Sequence, residues 1–424
     1  MTPRQVTARL ALLLLSLALP GCHRTQHTTA DAHASGVYAQ QEWLLPASPG
    51  AAEPDLVATA DGRLLLSWIN SVPGRRNALQ FDAWDSAAQR WQGAPRTIAV
   101  GDSLAINSAD TPHISATGDG ALWVHWLQKA DSGATTDVML SRSADGGSNW
   151  SAPTRVNVQS NAEHGFAALW PASRASIGIT WLDGPNVDTP PTASRSDMVA
   201  NAHTTLRAAV FDANLQRSST FAVDTMTCDC CRTGVAVTSR GALVAYRDRT
   251  AAEVRDIATA RFDGAKWSAP EPVHADHWTM PACPVNGPAI AASGNDAVVA
   301  WYTAAGNIPS VNLARSRDAG DSFDAPVVLD RGASVQGRVA VAIDAQQVVA
   351  LWVREDAGGQ SLWLARYSRD LSQSLQRIEI AKLQGRGRGT GFPQLALQDG
   401  DAYVVWTDVA NGAPQLHGAR LGLH

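Results

Sequence analysis

Much of what this 424-residue chain does not do is written in what it lacks. It has no basic tract: 34 Lys and Arg against 39 Asp and Glu leave a formal charge of -5, spread along the chain. The electrostatic footprint of a nucleic-acid-binding protein is therefore missing. No apolar run approaches the roughly 20 residues of a membrane-spanning helix, and the run from Leu10 to Leu19 is too short to cross a bilayer. Cysteine, methionine and tyrosine are each represented five times, whereas tryptophan occurs 15 times. The placement of those tryptophans explains the fold.

An apolar strand ending in Trp or Tyr recurs seven times, at Trp68, Trp126, Trp181, Tyr246, Trp301, Trp352 and Trp406, with successive endings 51 to 65 residues apart. Self-similarity on this scale signals a repeat architecture. Ahead of each ending lies a shorter strand of small residues and a tight turn, as in Pro112 to Thr117 followed by Gly118-Asp119-Gly120. Such a pair reads as a hairpin. After the ending come an alternating strand, Val138 to Ser143, a second turn, Asp145-Gly146-Gly147, and a short strand from Trp150. Each period is thus a four-stranded antiparallel meander, the unit of a propeller blade. Seven hairpins predict an all-β, seven-bladed propeller, with a six-bladed ring and one irregular insertion as the alternative. The last blade has no fourth strand of its own, and the segment Glu42-Trp43-Leu44-Leu45-Pro46 is expected to supply it, so that neither edge of the ring is left unpaired.

The N-terminus has the layout of an export signal: Arg4 and Arg9, a short apolar run, then Leu19-Pro20-Gly21-Cys22. The last four residues resemble the lipobox of bacterial lipoproteins, which implies cleavage before Cys22 and its acylation. Residues 1–21 are accordingly expected to be a signal peptide, 22–40 the lipidated cysteine with a flexible tether rich in Thr, His, Ala and Ser, and 41–424 the propeller. His23 is not the aspartate that commonly retains lipoproteins at the inner membrane, which favours the outer membrane.

At the turn after the third strand, Ser143, Asp145, Gly147 and Trp150 match all four positions of the Asp box, Ser-x-Asp-x-Gly-x-x-Trp. Ser316, Asp318, Gly320 and Phe323 match it with Phe for Trp, and Asp263 to Trp267 is a worn copy. The chain resembles the sialidase-like BNR/Asp-box propellers over nearly its whole mature length. In that family the box holds a turn together and does not catalyse. The resemblance also implies an arginine clamp for a carboxylate, a Tyr/Glu nucleophile pair and an Asp acid/base. This chain departs from that set, because Arg-Ile-Pro occurs nowhere and the last inner strand, Gly391 to Leu395, offers no tyrosine. No catalytic role is carried over.

Strand order brings the residues before each inner strand and after its aromatic-ended partner to one face, the mouth. Among the arginines able to reach it are Arg247, Arg249, Arg338, Arg386 and Arg388, and the carboxylates include Asp183, Glu253 and Glu355. The alternating charges from Tyr246 to Arg249 and from Glu253 to Asp256 read either as a salt-bridged surface loop or as an anion clamp at Arg247 or Arg249 with Glu253 or Asp183 as acid or base, and Arg338 is a further catalytic candidate. The sharpest cluster is Met226, Cys228, Cys230 and Cys231 with Met280 and Cys283, on segments that precede adjacent blades. Two readings stand: a disulfide framework, in which one of the cluster pairs with Cys283, and a soft-ligand site for copper or a redox partner, with His164, His274 or His277 completing the shell. Three functions follow: a lipid-anchored binding protein with a metal or redox site at its mouth, a sialidase-like glycoside hydrolase with a rearranged catalytic set, or an envelope scaffold for protein contacts. The insertion Pro185–Ser196 is expected to act as a lid or a surface loop.

Overall fold

The structure, a computed structural model, describes residues 36–71, 76–130, 135–158, 162–184 and 203–422. They form seven antiparallel sheets, which settles the blade number against six. Blade 1 runs from Ala51–Ala58 through Arg63–Asn70 and Asn77–Asp85 to Arg96–Gly101, with the short Arg90–Trp91 beside its third strand. Blades 2 to 6 begin with inner strands His113–Ala116, His164–Pro171, Gly234–Thr238, Ala289–Ser293 and Val335–Ile343, each followed by three antiparallel strands in chain order.

Blade 7 is made from both ends of the described chain. Gln394–Gln398, Asp401–Ala410 and Ala413–Gly422 are completed by Ala39–Glu42, paired Ala39 to Gly422 through Glu42 to Ala419. The closing strand therefore lies a few residues upstream of the expected Glu42 to Pro46, and the folded body begins before residue 41. Tyr38 anchors it. Its side chain is buried, the Arg366 guanidinium lies over its ring, and its main chain makes two hydrogen bonds with the Gln376 amide.

The second strand of each blade is buried on both faces, so the period-2 alternation sends successive residues to different neighbours. In blade 1, Leu64, Leu66 and Trp68 pack toward blade 7, while Leu65 and Ile69 pack toward blade 2. In blade 6, Val349, Leu351 and Val353 face blade 7, and Val348, Ala350 and Trp352 face blade 5. Seven hydrophobic clusters result, one at each interface between adjacent blades. The described residues have no single central core, because the blades converge on an axial channel instead.

Both Asp boxes adopt the expected turn. The Ser143 hydroxyl donates to Asp145 and accepts from the Gly147 N–H, and Asp145 accepts from the Asn149 N–H. Ser316, Asp318 and Gly320 repeat the pattern. These bonds hold the Asp145 and Asp318 carboxyls at about 2, for Asp318 against a desolvation cost. The glycines also permit close packing between blades, since a Cβ on Gly147 would run into Phe81 of blade 1, and one on Gly320 into Leu243 of blade 4. Each box thus seals its blade against the preceding one, on the face opposite the mouth.

The sequence pattern did not announce the bulges near the start of three inner strands. They place Glu53, Phe166 and Arg338 at φ of 56°, 50° and 52°, conformations that non-glycine residues rarely adopt. Bulges re-aim side chains, and here they turn Phe166 and Arg338 into the mouth.

Candidate functional site

The mouth opens into a cavity of about 910 Å³, within the size range of small-ligand sites. Its wall combines aromatic surface from Phe166, Trp278, Tyr302 and Phe392 with Arg338, Arg388 and Glu355. Cys230, Met280 and Cys283 line the same cavity.

One wall is a short 3-10 turn, Gly387–Thr390, that leads into the inner strand of blade 7. The buried Arg338 of blade 6 holds it, donating to the Gly387 carbonyl at 2.6 Å and the Thr390 hydroxyl at 2.7 Å. Glu355 accepts from the Gly387 N–H, Gln360 donates to the Gly387 carbonyl, and Asp408 accepts the N–H groups of Gln384 and Gly385. The turn presents Arg388, which is exposed and forms no ion pair among the described residues. Burial lowers the Arg338 pKa to about 10, with the Arg388 charge adding to the effect and Glu355 opposing it. Two guanidiniums therefore share one wall, one spent on architecture and one free to meet a ligand.

The other expected clamps and acid/base groups are committed elsewhere. Arg247 is fully buried, and its fork donates to three main-chain carbonyls, those of Asn286, Arg255 and Tyr302, with its plane over the Trp278 ring. It cannot grip a substrate carboxylate. Arg249 and Arg255 both bind Glu253, through opposite oxygens, and that bonding keeps the Glu253 pKa below its ordinary value. Asp183 is held by His164 at 2.9 Å and Arg207 at 2.6 Å and accepts from the Trp181 indole. Burial works against its charge, but the His164 and Trp181 bonds and the Arg207 guanidinium keep its pKa low. Asp183 and Glu253 are thus fixed in ion pairs, outside the cavity wall. His164 is consumed by Asp183 and not by the cysteines. The residues 185–196 lie outside the described residues.

The cysteines come together as expected. Cys230 and Cys283 form a disulfide, with Cα atoms 6.0 Å apart, linking the segments that precede blades 4 and 5. Cys228 and Cys231 are free and buried, and their Sγ atoms lie 3.3 Å apart. The Cys228 Sγ is also 3.9 Å from that of Cys230 and accepts from the Arg255 guanidinium at 3.2 Å. Hydrogen bonding from Cys231, with the charges of Arg247 and Arg255, pulls the Cys228 pKa down to about 6 despite burial. Burial pushes Cys231 well above the usual thiol range. With the disulfide closed, only two thiol ligands remain, short of the four that a tetrahedral thiolate site uses. The Sγ atoms of Cys228, Cys230 and Cys231 lie within 4.0 Å of one another, a spacing that a thiophilic ion such as copper(I) could bridge were the disulfide opened to free Cys230.

Sequence reasoning found Arg338, Arg388, Glu355 and the cysteines, but missed the aromatic wall. Trp278, Tyr302, Phe166 and Phe392 belong to four different blades or connections and share no sequence spacing.

Fold and mouth together define a seven-bladed propeller with a polar and aromatic cavity at its mouth. No family model matches the chain, and no curated protein sequence does so. Among solved structures, a protein of unknown function from Dyadobacter fermentans is similar at 15% identity, covering 89% of this chain and 95% of that one with a TM-score of 0.51. The polysaccharide lyase Uly1 is similar at 7% identity, covering 88% and 90%, with a TM-score of 0.52. A phage phi92 endosialidase is similar at 9% identity, covering 91% of this chain and 69% of that one, with a TM-score of 0.49. At identities this low, the TM-scores of 0.51 and 0.52 show a shared fold and leave the chemistry to the residues.

Proposed function

We propose that the mouth cavity binds an acidic saccharide, and that the chain works as an exported glycan-binding or glycan-active propeller. The observation that carries this reading is the Gly387–Thr390 turn, locked by Arg338, Glu355 and Asp408 so that Arg388 stands unpaired on a wall it shares with aromatic side chains. A pre-positioned guanidinium suits a uronate or similar carboxylate, which it grips through two parallel bonds. Aromatic faces suit the apolar face of a sugar ring. A propeller fold shared with a polysaccharide lyase is compatible with this use and does not by itself argue for it.

The test is calorimetric titration with acidic and neutral oligosaccharides of matched length, alongside a panel of chromogenic glycosides and an assay for unsaturated lyase products. Binding of the acidic series that falls at least tenfold in Arg388→Ala, about 1.4 kcal/mol, supports the reading. Equal affinity for both series, or an Arg388→Ala variant that binds as well as the parent, sinks it. The proposed lipid anchor is tested separately: Cys22→Ser should move the protein from the membrane to the soluble periplasmic fraction, and an unchanged distribution would count against acylation.

A further inference from the structure

The four cysteines downstream of Cys22 form two unlike pairs in direct contact. Cys230–Cys283 lines the mouth cavity, and Cys283 is exposed. Cys228 and Cys231 lie behind it, buried, with Cys228 Sγ 3.9 Å from Cys230 Sγ and 3.3 Å from Cys231 Sγ. Each sulfur of the inner pair thus has a neighbouring sulfur with which a bond could be exchanged.

The surroundings favour an anion at Cys228. Arg255 donates to its Sγ at 3.2 Å, and the buried Arg247 guanidinium donates to the Arg255 carbonyl, which brings a second cation to the same pocket. Arg247 is fully buried and forms no carboxylate ion pair among the described residues, since its fork goes to main-chain carbonyls. A buried charge of this kind calls for a compensating anion nearby, and a thiolate at Cys228 supplies one. A permanently closed Cys228–Cys231 disulfide would not.

We propose that Cys228 and Cys231 form an inner dithiol that exchanges with the Cys230–Cys283 disulfide, carrying two electrons between the protein interior and the wall of the mouth. In the first step the Cys228 thiolate attacks Cys230 Sγ; the Cys228–Cys230 bond forms, the Cys230–Cys283 bond breaks, and Cys283 leaves as a thiolate that solvent protonates. In the second step the Cys231 sulfur attacks Cys228 Sγ; the Cys228–Cys231 bond forms, Cys230 leaves, and the proton lost by Cys231 passes to Cys230, whose sulfur is 4.0 Å away. The inner pair is oxidised and the mouth pair reduced, with no external oxidant or reductant consumed. The product is a dithiol on the cavity wall beside Met280, open to an incoming disulfide. The arginines that stabilise the Cys228 thiolate set the balance toward the inner dithiol, because a stabilised thiolate favours the reduced form of its pair. This activity is independent of saccharide binding.

The experiment is acid quenching of the whole exported protein, alkylation with N-ethylmaleimide, and mapping of disulfides and labelled cysteines by peptide mass spectrometry. In Cys231→Ser the second step is blocked, so oxidised Cys228 should be detected only as a Cys228–Cys230 bond with a labelled Cys283. Arg255→Met should raise the labelled fraction at Cys230 and Cys283 at least threefold over the parent. Should Cys231→Ser fail to fold, the parent, first oxidised to two disulfides and then treated with one equivalent of dithiothreitol to leave one, should still show both isomers. Detection of Cys230–Cys283 as the sole isomer in every sample overturns the proposal. So does a Cys228–Cys231 bond that stays closed while the reductant opens only Cys230–Cys283.

Discussion

The Arg338 guanidinium of blade 6 donates to the Gly387 carbonyl at 2.6 Å, so a side chain expected among the catalytic candidates instead grips the turn that presents Arg388. Position and binding are thereby divided between two arginines on one wall. Arg338→Met should lower stability by about 2 kcal/mol through buried groups left without a donor, and should weaken saccharide binding as the turn loosens. Arg388→Ala should weaken binding with no change in unfolding midpoint. Urea unfolding and calorimetric titration of both variants separate the two roles.

Arg247 is the strongest case of an arginine used as scaffold. Its donors satisfy carbonyls on three segments, of Asn286, Arg255 and Tyr302. Arg247→Met should cost about 3 kcal/mol, and Arg247→Lys should recover little of it, because an ammonium cannot reproduce the planar fork. Denaturant midpoints of the two variants check this.

Glu53 makes stability fall as pH rises. Burial, reinforced by the nearby Asp110 charge, lifts its pKa from 4.5 to about 8. Burial also lifts Asp110 to about 6, although the Phe166 N–H and the charges of His113 and Arg232 oppose the rise. A carboxyl whose folded pKa is raised binds more protons folded than unfolded. Its contribution is complete below the unfolded value near 4.5 and is lost as pH climbs to about 8. Glu53→Gln should flatten the loss between about pH 5 and pH 9, measured as unfolding midpoint against pH, leaving the smaller fall through about pH 6 from Asp110.

The Asp-box glycines should tolerate no side chain. Gly147 has φ of 89° and Gly320 of 93°, and a Cβ at either would strike the preceding blade at Phe81 or Leu243. Each alanine variant should lose about 2 to 3 kcal/mol from backbone strain and overpacking. Asp145→Asn, at an exposed turn, should cost less than Gly147→Ala in the same thermal scan.

Removal of residues 36–42 should open the ring. The deletion exposes the edge strand Ala413–Gly422 and strips the Tyr38 clasp from Arg366 and Gln376. A lowered melting temperature and concentration-dependent aggregation are expected from a bare edge, and light scattering during a thermal ramp reads both.

The repeat was legible because a propeller is assembled from local hairpins, and local hairpins write their turns and alternation into the chain. Trp68, Trp126, Trp181, Tyr246, Trp301, Trp352 and Trp406 marked seven blades, and the two Asp boxes behaved as their residues implied. The closing strand was legible in kind but displaced in register, since Ala39–Glu42 carries no apolar alternation and is held by main-chain pairing with Gly422 to Ala419.

The site was less legible. Asp183 and Glu253 lie on the expected connections, yet their partners, His164 and Arg207 for one, Arg249 and Arg255 for the other, decide that neither is available. The same holds for Arg247. Composition and spacing determined that this chain is a propeller, with cysteines gathered near one mouth. Only the tertiary structure decided which sulfurs are bonded, which arginine is free, and which aromatic residues share a wall. Those relations join residues from different blades, and a ring that converges on an axis creates such neighbours without leaving any periodicity in the sequence.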